Sequence, residues 1–142
     1  MLETFLGIML TLASGLIGRD TLLREQPSLK ITLHHLEAYQ DIIGLCCLIG
    51  GIFGLYHGAS TAISTTYSPL YWLAWSGSNL IASLTGLTLC FIVVEEKIKE
   101  FSTRLHQFCM HITTTVAASP DRLCWLGLTL GTWRALNPWL SA

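Results

Sequence analysis

The chain has 142 residues, of which 51% are hydrophobic and only 12% charged, and its formal net charge is −1. A soluble domain carries about 25% charged residues, so this composition, with a mean hydropathy of +0.54, sets the chain in the membrane class and away from nucleic-acid binders. The five cysteines form no C-x-x-C pair and no even framework, which excludes a redox motif and a secreted disulfide scaffold. They read as small apolar fillers.

Residues 4–18 are apolar and bounded by Glu3 and Arg19. With no basic n-region and no A-x-A site, residues 1–18 read as a retained first transmembrane helix. Residues 19–41 hold Arg19, Arg24 and Lys30 and form an amphipathic cytoplasmic segment. There Pro27 can open a helix, and Leu29, Leu33, Leu36 and Ile43 follow at helical spacing.

Residues 42–63 carry no Asp, Glu, Lys or Arg and exceed the ~20 residues that a hydrocarbon core requires. Gly50, Gly54 and Gly58 recur every fourth position there, with Gly44 and Gly51 nearby. Lipid tails are as apolar as leucine, so helices in a bilayer associate by close backbone approach at small residues. Ser78, Ala82 and Gly86 repeat the device in the third span, residues 70–94, as do Gly7, Thr11 and Gly15 in the first and Gly127 and Gly131 near the end. An outer turn at 64–69 joins the second and third spans, and Tyr67, Tyr71, Trp72 and Trp75 beside it suit an interfacial aromatic belt.

Past the third span, residues 95–118 place Ile98, Phe101, Leu105, Phe108 and Ile112 on one face and Lys97, Lys99, Glu100, Arg104 and Gln107 on the other. This pattern predicts one long helix from about Pro69 to about Ala118, stopped by Ser119 and Pro120. Residues 119–142 contain only an eleven-residue apolar run, Leu123 to Trp133, before Arg134, Asn137 and Pro138 interrupt. Trp125, Trp133 and Trp139 favour an interfacial helix there, with a short fourth span as the alternative. The positive-inside rule puts the basic segments in the cytoplasm and the N-terminus outside. The expected fold is an all-α membrane protein with three spans, long cytoplasmic helical extensions and that C-terminal helix.

The stretch Ile42-Ile-Gly-Leu-Cys-Cys-Leu-Ile-Gly-Gly-Ile-Phe-Gly-Leu-Tyr56 resembles the second span of the proton-driven stator family of MotA, TolQ and ExbB. Gly44-Leu45 and Gly51-Ile52 match its glycine pattern, and Asn79-Leu-Ile-Ala-Ser-Leu-Thr-Gly-Leu87 is similar to its third-span signature. The resemblance covers about residues 30–110. It implies five copies around a single-span partner that brings the proton-binding aspartate, in a bacterial inner membrane. Ser83, Ser78, Thr85 and Asn79 would then be pore-lining candidates, with Ser76 and Thr88 as helpers. Gly44, Gly50, Gly51, Gly54, Gly58, Ala82 and Gly86 would pack helices. The chain departs from the family at Leu48 and Ser83, where its threonines fall, and near Ile92, where its proline falls.

A serine in a membrane helix also serves close packing or bonds its own backbone, and Asn79 equally fits interhelical hydrogen bonding. His57 lies near the outer end of the second span, while His34 and His35, and His106 and His111, have spacings that suit no shared metal. Asp41, Glu37, Glu95 and Glu96 read as boundary charges. No catalytic set, cofactor motif or metal site is expected. Two further functions stay open: a non-catalytic assembly subunit of a larger membrane complex, and a holin-like pore former.

Overall fold

The computed structural model describes residues 2–61 and 69–140, and these are helical apart from short joints. The elements are α1 (Leu2–Ile17), α2 (Arg19–Glu25), a 3-10 turn (Pro27–Leu29), α3 (Lys30–Glu37), α4 (Gln40–Thr61), α5 (Pro69–Phe101), α6 (Thr103–Ala117) and α7 (Pro120–Leu140). The expected outer turn at 64–69, including Tyr67, falls almost wholly outside the described residues.

Four long helices form an antiparallel bundle made of two pairs. In one pair α4 runs against α5: a β-carbon on Gly44 would stand 2.8 Å from Leu89 Cβ and 2.9 Å from Cys90 N, and at the other end Gly58 abuts the Trp75 ring. In the second pair α1 runs against α7. Gly7 lies under Ala135 and Gly131, whereas Gly18 lies against Cys124. Leu6 fills the space over Gly50 and joins α1 to α4, and Ala13, Leu16, Ile43 and Cys47 complete a small apolar cluster between them.

The glycine faces follow a period close to 3.5 residues. On α4 the face turned to α5 is Gly44, Gly51, Gly54 and Gly58, and Gly50 turns to α1 instead. Residues four apart drift by about 40° around a helix, so Gly50 and Gly58 differ by about 80° and serve different neighbours. The same drift separates Gly15 from the α1 face, which is Gly7, Thr11, Ser14 and Gly18; Gly15 meets only Leu22, in ordinary contact.

The interior is mixed in chemistry. Leu6, Leu10, Leu16, Ile43 and Leu87 share it with Ala13, Ala82, Cys47, Cys90, Cys124, Ser14, Ser78, Asn79 and Thr85, while Ile49, Ile52, Phe53, Tyr56 and Leu73 stand outward. The buried hydroxyls bond mostly to their own helices: Thr85 Oγ1 donates to Ile81 O at 2.8 Å and Ser83 Oγ to Asn79 O at 2.9 Å.

One expectation is corrected. The single helix expected from about Pro69 to about Ala118 is broken twice: Pro69–Phe91 and Val93–Phe101 meet at 99°, and Ser102 takes an extended conformation and caps α6 by accepting from Leu105 N. His106 of α6 holds the bend, with its ring stacked 6.2 Å from Phe91 and its Nε2 3.1 Å from Glu95. The C-terminal segment, expected as an interfacial helix or a short fourth span, is a 21-residue helix laid along α1. Its glycines face Thr11 and Ser14, which draws it alongside α1.

Among the described residues one helix, Gln40–Gly58, is long and apolar enough to cross a membrane alone. Two bent pairs qualify only if each is one span: Glu3–Ile17 with Arg19–Glu25, at 83°, and the two parts of α5.

Gly86 and Gly77 provide an internal comparison. A β-carbon on Gly86 would lie 2.6 Å from Gly44 O and 2.8 Å from Leu48 Cα, whereas one on Gly77 meets nothing within 4 Å. Gly86→Ala is expected to lose about 1–3 kcal/mol by forcing backbones apart. Gly77→Ala should gain about 0.5–1 kcal/mol from helix entropy. Reversible unfolding in mixed micelles measures both; equal effects would contradict the packing.

Candidate functional site

The most concentrated chemistry in the bundle is a buried charge near the start of α1. Arg134, on the last turns of α7, is 3% exposed, a rare state for an arginine unless it is paired. Its Nε donates to Glu3 Oε2 at 2.6 Å, and its Nη1 donates to Asn79 Oδ1 at 2.5 Å and to Ser78 Oγ at 3.4 Å. The guanidinium carbon lies 5.8 Å from the centre of the Trp75 ring, which adds a cation–π contact. One side chain thus ties α7 to α1 and α5.

Local sequence explains this placement. On α7, Gly127, Gly131 and Ala135 lie on the face toward α1, and Arg134, one residue before Ala135, points about 100° away, into the groove beside α5. Gly54 makes room from α4: a β-carbon there would stand 2.8 Å from Asn79 Nδ2. That nitrogen has no hydrogen-bond partner among the described residues, and neither has Ser14 Oγ beside Gly127. Just beyond, Asn137 Nδ2 donates to Tyr71 Oη at 3.4 Å, and Tyr71 meets Trp133 edge-on at 5.7 Å.

Charge is sharply segregated. The chain has 8 Lys and Arg and 9 Asp and Glu. Among these, only Glu3 and Arg134 sit at this end; all others lie at or between the helix ends opposite. There Arg19 pairs with Glu37, Thr21 bonds Asp121, and Lys97 Nζ lies 3.2 Å from Glu100.

The residues singled out in the sequence fall into three groups. Ser78 and Asn79 belong to the arginine cluster. Thr85 is fully buried and Ser83 packs over Gly51, so both face neighbouring helices of the same chain; Ser76 is half-buried, and Thr88 bonds Leu84 O. Gly44, Gly50, Gly51, Gly54, Gly58 and Gly86 all sit at helix contacts, and Ala82 is buried between helices. His57 is exposed, its ring 6.4 Å from Phe53, and His34 bonds Glu37 at 3.1 Å. Among the described residues no group of three His, Cys, Asp or Glu side chains could hold a metal ion.

In the sequence Arg134 reads only as the end of an apolar run. The available signal is that a lone basic residue in an apolar helix needs a partner, and Glu3 and Asn79 are polar groups in other apolar runs that can supply one.

The cluster performs no bond chemistry that its atoms disclose; it stores a paired charge and fixes three helices in register. Arg134→Leu is expected to cost about 2–4 kcal/mol, because Asn79 Oδ1 is left buried and unpaired. Glu3→Gln should cost less, since Glu3 is 42% exposed and its loss leaves Arg134 its other partners. The double variant should be little worse than Arg134→Leu alone. Additive losses in mixed-micelle unfolding would mean that the pair is not coupled.

No protein-family model, curated protein or solved structure matches this chain, so its function rests on the geometry of the bundle and of the arginine cluster.

Proposed function

We propose that this protein is an integral-membrane, non-catalytic assembly subunit, a four-span bundle that docks against larger membrane partners. The burial pattern carries this reading: Ile49, Ile52, Phe53 and Leu73 stand exposed, while Ser14, Ser78, Asn79, Thr85 and Arg134 are buried beside Leu10, Leu16 and Ile43. Water penalises so apolar a surface. Lipid favours that arrangement, because polar groups are then satisfied inside and small residues let helices touch.

The four long helices alternate in direction, so a bundle upright in a bilayer has α1, α4, the first part of α5 and α7 crossing in turn, with Glu3 and Arg134 on one side. Of these, α4 alone is long and apolar enough to cross unaided, and the others cross as parts of the bundle. The segregated charges fit this topology, with the basic joints in the cytoplasm. Helix α7 is too polar to enter lipid easily by itself, and its Arg134 is tolerated because Glu3, Ser78 and Asn79 receive it.

An assembly role is favoured over a stator-like channel by the direction of the hydroxyls. A pore between copies needs Ser83, Ser78, Thr85 and Asn79 turned outward to a partner. In this bundle they are engaged with α4, α7 and their own backbone.

Native mass spectrometry of the complex, extracted gently from its own membrane, tests the proposal. One copy among larger subunits is the expected result. Five copies with two copies of a single-span, aspartate-bearing protein would overturn it in favour of the stator.

A further inference from the structure

We infer that α6 and the bent end of α5 form an in-plane lipid anchor, which seats the cytoplasmic end of the bundle on the headgroup layer. This rests on the membrane reading above.

Three observations lead to it. Two right-angle bends occur at the same end of the bundle, 83° between α1 and α2 and 99° within α5. The first falls at the boundary between apolar and charged sequence, Ile17 to Arg19, and the second, between Phe91 and Val93, comes just ahead of such a boundary at Glu95. Segments turned at right angles to spanning helices lie in the plane of the membrane.

Helix α6 is fastened to that same end twice. Its first turn is held by His106 against Phe91 and Glu95. Its last residue is three before α7, whose Asp121 bonds Thr21 and whose Cys124 covers Gly18. A helix pinned at both ends to one end of a bundle runs across it and does not project along its axis.

The surface that α6 leaves open has the chemistry of a headgroup boundary. Its inner face is His106, Cys109, Thr113 and Val116, and its outer face presents Leu105 and Phe108, the latter 61% exposed. Arg104 and His111 share the side of the helix next to Phe108, and α6 carries no Asp or Glu. Phe101, at the tip of the bent segment, is 84% exposed. An apolar edge beside an arginine, on a helix lying in the plane, matches the lipid interface, where rings enter the acyl boundary and a guanidinium stays among phosphates.

A photoreactive benzoylphenylalanine replaces Phe108 in one full-length variant and Phe53, on the outer surface of α4, in another. Both are reconstituted in vesicles of phosphatidylethanolamine and phosphatidylglycerol, irradiated, and examined by mass spectrometry. Lipid adducts at both positions are expected. A lipid adduct at Phe53 with none at Phe108 would overturn the anchor and leave the membrane bundle intact. Absence at both would overturn the membrane reading and the anchor with it. Irradiation in the native membrane adds a further arm, in which a protein adduct at Phe108 in place of lipid would overturn the anchor.

Discussion

Everything in this bundle depends on helices approaching until their backbones touch. At the Gly44–Gly86 crossing no side chain separates α4 from α5, and Gly7 and Gly131 do the same for α1 and α7. Dispersion and short backbone contacts there replace the large side chains that hold a soluble bundle together. The rest follows from that substitution. Many large side chains are left for the outside, and small hydroxyl, thiol and amide groups share the inside with a few leucines and Ile43.

Such a core tolerates a charge only where it is fully partnered, and the Arg134 cluster meets that condition with a carboxylate, an amide, a hydroxyl and an aromatic face. Its position gives it a second effect. Glycine seams fix how close two helices come, but they hold axial register weakly, because one small residue resembles the next. A directional guanidinium bound to three side chains on two other helices supplies that register. On the proposed reading, α7 enters the membrane as a consequence of the fold and not of its own hydropathy.

Much of the α4–α5 pair was legible in the sequence. An uncharged run from Ile42, glycines at short intervals and the small residues Ser78, Ala82 and Gly86 in the next run are enough to predict two helices in close contact. Of those three only Gly86 meets an α4 glycine, the other glycines turned to α5 being met by Trp75, Asn79 and Ser83. The finer assignment of faces was not legible, because a four-residue spacing looks like one stripe on paper yet turns by about 80° over two steps; Gly50 and Gly15 therefore serve other neighbours. Helix α7 was obscured by Arg134, Asn137 and Pro138, which read as the end of an apolar run until Glu3 and Asn79 are seen to receive the arginine. The break at Ser102 was hidden by a periodicity that continues through it, from Ile98 to Ile112, and the bend after Phe91 by an apolar run that continues to Val94. Periodicity records which residues share a face of a helix and is blind to where the helix turns.

The central claim is that α7 crosses the membrane beside α1. Fusing a side-specific reporter enzyme, active on one side of the membrane only, after Ala142 and in a second version before Met1 tests it most directly. Four alternating spans require both fusions to report the side opposite the basic joints. Reporters on opposite sides would mean that α7 does not cross, and would contradict the paired bundle and the burial of Arg134 within it.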